Sequence, residues 1–150
     1  TIKELLAKYT YCFREKHGYK PIMNEKIVKS ILTIKKKNKK ISIRALEINH
    51  GMINATAYIF NKIAYLSDCN SIPSNSIKYF YNLNYLVLDC LREKKHPSHF
   101  NLSEALDLVI KIKPKKTILT NLHVDFDYDL LRKKLPKNVI PAYDGLTFSF

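Results

Sequence analysis

Ala57-Tyr58-Ile59-Phe60-Asn61-Lys62-Ile63-Ala64-Tyr65-Leu66-Ser67-Asp68, followed by Cys69-Asn70-Ser71-Ile72-Pro73, is the stretch on which the fold is read. Two short apolar runs joined by Asn61-Lys62 predict a β-hairpin with a two-residue turn, although Asn-Lys is weaker turn chemistry than Asn-Gly. The second run closes on Ser67-Asp68 and opens into a polar loop. Asp68 is thereby carried to a sheet edge, where ligand-binding and catalytic groups are commonly placed. Taken alone, the same carboxylate serves equally well as a cap on the loop that follows.

Upstream, Ile41, Ile43, Ala45, Leu46 and Ile48 alternate imperfectly with polar residues, so 41–49 reads as a strand presenting His50-Gly51 at its end. The run Lys35-Lys36-Lys37-Asn38-Lys39-Lys40 before it reads as an exposed turn, and 22–34 is ambiguous, with a short helix over 25–32. Ile2, Leu5, Leu6, Tyr9 and Phe13 recur at helical spacing, so the first thirteen residues predict one amphipathic helix whose apolar face needs a partner.

Downstream, 74–81 fits a short helix, and Tyr85-Leu86-Val87-Leu88-Asp89 is an apolar run closed by a second acid, the pattern of a parallel strand buried on both faces. Asn101-Leu102-Ser103-Glu104 has capping-box spacing and starts a helix with Leu106, Val109, Ile110 and Ile112 as its inner stripe, ended by Pro114. A strand at 116–120, a helix at 128–135, a strand at 139–143 and a turn at Asp144-Gly145 leading into 146–150 complete the chain. Strands alternating with helices after residue 84 predict βαβ units and an α/β layered fold.

With 150 residues, 46% of them hydrophobic, the chain has enough apolar side chains for a real core and reads as one domain. The net charge of +13 points to a polyanion or, more plainly, to solvated lysines. Cys12, Cys69 and Cys90 form neither a disulfide framework nor a zinc knuckle, which fits a reducing cytoplasm. No apolar run approaches the roughly 20 residues that span a bilayer, and no membrane partner is expected.

His50, Asp68, Asp89 and the loop after Thr120 all stand at strand ends, and His99 lies on the loop after Asp89. Groups at the carboxyl ends of neighbouring strands in a layered α/β fold converge on one crevice, so the set suggests a metal or acid–base site.

The order and wording of these segments carry a resemblance. Asn49-His50-Gly51, the hairpin ending Tyr65-Leu66-Ser67-Asp68, Leu88-Asp89-Cys90-Leu91-Arg92, His96-Pro97-Ser98-His99-Phe100, Leu119-Thr120-Asn121-Leu122-His123 and Pro141-Ala142-Tyr143-Asp144-Gly145 resemble the C-terminal half of metallo-β-lactamase-fold hydrolases. Within them the resemblance is nearest to the phosphoribosyl cyclic phosphodiesterase branch of phosphonate catabolism, with ribonuclease Z more distant. It implies the C-terminal part of a four-layer αββα fold and a phosphodiesterase-like hydrolase of small phosphodiester substrates that uses a hydroxide activated by two divalent metals, Zn2+ or Mn2+. It further implies His50 as a metal ligand, Asp68 as the bridging carboxylate, His99 as the general acid and Asp89 as the group that orients it.

Two departures from the family pattern stand out. Asn121 occupies the place of the last histidine ligand, for which His123, two residues on, is the expected substitute. The early HxHxDH motif does not occur in the chain. His50, Asp68 and His123 are too few donors for two metals. The expectation is therefore a single partial domain over 1–150, inactive alone and holding metal weakly or not at all, that needs an N-terminal half to supply the motif and cover its sheet. Two other readings stand beside it: a non-catalytic remnant or self-associating interaction module, and, ranked last, a basic nucleic-acid-binding protein.

Overall fold

The computed structural model describes residues 1–149. One mixed sheet runs in the order β1 (Ile31–Lys36), β2 (Lys39–His50), β3 (Ile53–Phe60), β4 (Ile63–Leu66), β5 (Tyr85–Asp89), β6 (Lys116–Thr120) and β7 (Val139–Pro141). The helices are α1 (Ile2–Lys8), α2 (Thr10–Phe13), α3 (Leu102–Ile112) and α4 (Tyr128–Lys134). Strands β1 to β4 form an antiparallel meander, and β4 to β7 pair in parallel.

The predicted hairpin is β3–β4. Phe60 faces Ile63, and Asn61 and Lys62 take φ of 45° and 62°. Left-handed backbone at both central residues is what a primed two-residue turn requires, and it matches the twist of the strands. Because β5, β6 and β7 follow in parallel with α3 and α4 between them, the alternation predicted after residue 84 is also present.

Helix α3 starts as its sequence dictates. The Asn101 side chain accepts from the Glu104 N–H at 2.9 Å, and the Glu104 carboxylate accepts from the Asn101 N–H at 3.1 Å. Its buried stripe is Ala105, Val109 and Ile112, which join Leu86, Leu88 and Leu119 of the sheet in one core. Ile110, expected in that stripe, is instead exposed, since spacing of four and three from Ala105 turns it away.

Other expectations are corrected. The first helix breaks at Tyr9, whose φ of −126° and ψ of 38° leave the helical region, and neither α1 nor α2 buries a residue. No helix forms over 25–32. The β-branched Ile31, Thr33 and Ile34 pair as β1 with β2, and the lysine run spans both strands and the Lys37-Asn38 turn between them. The helix expected at 74–81 is a short 3-10 turn, Ile77–Phe80.

Strand β5 is buried on one face only: Leu86 and Leu88 are fully covered, whereas Tyr85 and Val87 are half-buried. The helical layer covers the face that carries Leu86. The opposite face, with Tyr58 and Tyr65 both more than 40% exposed, has no second layer among the described residues. A shallow cavity of about 290 Å³ there is lined by Ile43, Tyr58, Phe60, Tyr65 and Val87, among others. Of the segment after Asp144-Gly145, Phe150 lies outside the described residues.

Candidate functional site

Strand β2 ends at His50, and Gly51 turns the chain with φ of 62°. A Cβ at Gly51 would stand 3.0 Å from the Ser98 Cβ and 3.3 Å from the Pro97 carbonyl, so glycine lets the turn lie directly on the loop that carries His99. Asn70 ties the two together. Its Oδ1 accepts from the Gly51 N–H at 3.1 Å, and its Nδ2 donates to the Pro97 carbonyl at 3.1 Å. His50 Nε2 and His99 Nε2 come to 3.2 Å, with the rings edge-on.

Asp89, at the end of β5 and wholly buried, anchors the arrangement. Its Oδ2 accepts from the Cys69 N–H at 2.9 Å and from His99 Nδ1 at 2.7 Å, and its Oδ1 accepts from Asn121 Nδ2 at 2.9 Å. An ionised carboxylate can only accept, which assigns the Nδ1 proton to His99 and leaves Nε2 facing His50. Asp68, just past β4 in left-handed backbone (φ 54°), sets its Oδ1 4.0 Å from His99 Nδ1 and is half exposed.

His50, Asp68, His99 and Asp89 thus come together from four separate elements. His123 does not join them. Its Nδ1 accepts from the Asp125 N–H at 3.3 Å and lies 3.1 Å from Asp125 Oδ1. His96 borders the site, its ring 5.0 Å from that of His99. The Ser98 N–H donates to His96 Nδ1, and partial burial, with His99 and Arg92 acting the same way, lowers the His96 pKa from the ordinary imidazole value. Sequence reasoning missed Asn70 and the bracing role of Asn121. Both are polar residues in turns, and nothing in their spacing marks them as partners of residues 19 or more positions away.

His50, Asp68 and His99 each offer one donor atom within 4.8 Å of the others. Two imidazoles and a carboxylate suit a borderline divalent ion such as zinc or manganese, so these residues fit one cation. A second cation needs donors beyond this set.

The Beta-lactamase superfamily domain matches residues 1–121. The chain belongs to this superfamily. Among solved structures, a diphosphatase of the PhnP family superposes on all of the chain at a TM-score of 0.84 with 27% identity, and the chain spans 55% of its length. Zinc-bound PqqB from Methylobacterium extorquens (TM-score 0.63, 11% identity, 85% of this chain and 56% of PqqB) and the short form of human tRNase Z (0.59, 15%, 80% and 47%) share the fold. An octanoyltransferase of Porphyromonas gingivalis is 28% identical over 109 residues, which are 71% of this chain and 22% of that longer protein. The chain has the mixed α/β architecture of the metallo-β-lactamase fold, built on one seven-stranded sheet, and spans about half the length of the diphosphatase it matches. No helix among the described residues is long and apolar enough to cross a membrane.

Proposed function

We propose that this chain supplies half of the active site of a metal-dependent, phosphodiesterase-like hydrolase. The observation that carries the reading is the convergence of His50 Nε2, Asp68 and His99 at one end of the sheet, with His99 held from behind by buried Asp89. With His99 Nδ1 committed to Asp89 and its Nε2 kept for a proton, His50 and Asp68 would hold a divalent cation, zinc or manganese, and His123 would be a further donor once its ring leaves Asp125. When bound, such a cation supplies a Lewis acid that offsets charge on phosphoryl oxygens and makes water more acidic.

The chain's own residues manage the proton. Asp89 fixes His99 through Nδ1–H, so a proton carried on Nε2 has its charge matched by the carboxylate at 2.7 Å. From there His99 protonates the departing alkoxide of a small phosphodiester. Asp89 and Asn121 position it and do not touch substrate. The remaining cation donors come, in this reading, from an HxHxDH-bearing half that also covers the Tyr58 and Tyr65 face. Free Cys12, Cys69 and Cys90 agree with a cytoplasmic site of action.

The test is hydrolysis of bis(4-nitrophenyl) phosphate by this chain assembled with the HxHxDH-bearing half in Mn2+. Turnover is expected only in the assembly. Asp68→Ala should abolish it, and His99→Ala should cost far more than His96→Ala. Equal losses at the two histidines would contradict the acid assignment, and an assembled but inert complex would favour a non-catalytic module that uses the same exposed face.

A further inference from the structure

The register of β2 reveals an arm. Strand β3 pairs with β2 only from Arg44 to His50, while β1 pairs with the other half, Lys39 to Arg44. Residues 31–43 therefore run as a two-stranded ribbon past the end of β3, for about 17 Å at the usual rise per residue. Its tip is almost wholly cationic: Lys35 faces Lys40, Lys36 faces Lys39, and Lys37 makes the turn, all of them exposed. Like charges directly opposite one another weaken a ribbon. None of the five ammonium groups has a carboxylate partner among the described residues. Eight of the chain's 26 Lys and Arg residues and none of its 13 acids lie between Glu25 and Glu47, so this stretch carries eight of the thirteen net charges.

We propose that the lysine-tipped β1–β2 arm docks on B-form duplex nucleic acid, gripping the phosphate walls of the major groove without reading sequence. Alternation along the strands puts Lys35 and Lys40 on one face of the ribbon and Lys36 and Lys39 on the other. A groove about 12 Å wide admits a two-stranded ribbon and presents phosphates on both sides of it. The deep, narrow major groove of A-form RNA excludes it. Single strands are bound on stacking aromatics, and residues 31–43 contain none. The tip also lacks an apolar residue between Lys35 and Lys40 to insert into a membrane. This surface lies at the opposite end of β2 from His50 and does not depend on the hydrolase reading.

The test is fluorescence anisotropy of the 150-residue chain with a labelled 20-base-pair DNA duplex between 50 and 200 mM KCl. Five phosphate contacts predict a log–log salt slope of about −4.5. Replacing Lys35, Lys36, Lys39 and Lys40 together by Gln should weaken binding at 50 mM at least tenfold and flatten the slope by about 3.6. The exposed Lys111, Lys115, Lys133 and Lys137, replaced together by Gln, serve as the control for net charge and should change binding less than threefold. Equal losses in the two variants, equal affinity for an RNA duplex of the same length, tighter binding to phosphatidylserine vesicles than to DNA, or no duplex binding at 50 mM would each overturn the proposal. Lysines that only guard exposed strand edges would show themselves by aggregation of the arm variant without any loss of DNA affinity, which would also overturn it.

Discussion

Asp89 is wholly buried and accepts from three donors, the Cys69 N–H, His99 Nδ1 and Asn121 Nδ2. Oδ2 is shared by two of them, whereas Oδ1 has Asn121 alone, so removing that amide leaves a buried carboxylate oxygen unpaired. Asn121→Ala is therefore expected to cost about 1–3 kcal/mol in urea unfolding and to loosen His99, whereas a surface Asn→Ala such as Asn75→Ala should stay within about 0.5 kcal/mol. Gly51→Ala forces a side chain against Ser98 in left-handed backbone, with an expected cost of about 1–3 kcal/mol and a displaced His50. Burial, with the Asp89 charge adding to it, pushes the Cys69 and Cys90 thiols up to about 12. With the folded values above the ordinary thiol value, the folded state holds more protons than the unfolded one between about pH 9 and 12, so stability should fall as pH rises through that window. At neutral pH a thiol reagent should modify only Cys12 in the native chain and all three cysteines after denaturation. His50, Asp68, Asp89 and His99 were legible because each ends a strand or sits on the loop after one. Asn70 and Asn121 were not, since an amide that bridges two loops leaves no periodic mark.

Elements with explicit punctuation were legible. The capping box placed the start of α3, and Asn61-Lys62 placed the β3–β4 turn. Asn101→Ala should lower stability by about 1 kcal/mol. Lys62→Gly should raise it by several tenths to about 1 kcal/mol, because glycine takes the φ of 62° without strain. Strand β1 was hidden because lysines fill its exposed end and only its partner strand gives it structure. The long first helix misled because its apolar spacing continues through Tyr9 while the backbone does not. Burial of β5 was overread for a different reason, since an apolar run records what a face can bury and not whether a layer is present to bury it.

For the molecule as a whole, the decisive feature is a sheet with one covered face. The exposed tyrosines and the cavity between them predict that the chain binds an apolar dye such as ANS, and, under the proposed function, that assembly with an HxHxDH-bearing half abolishes the signal. Tyr65→Lys, at a position 43% exposed, should leave the stability of the chain nearly unchanged and prevent assembly. Equal assembly by this variant would place the partner elsewhere. Three donors on separate loops do not make a closed site, so elemental analysis of the dialysed chain alone should find less than one zinc or manganese, and two tightly held ions would contradict this. The centre itself is tested most directly by adding Mn2+ to the isotopically labelled chain and following its five histidine rings by NMR. The proposed centre predicts that the signals of His50 and His99 broaden first, that of His123 follows only at higher Mn2+, and that of His17 persists. Broadening of His123 ahead of His50, or of all five rings together, would contradict it.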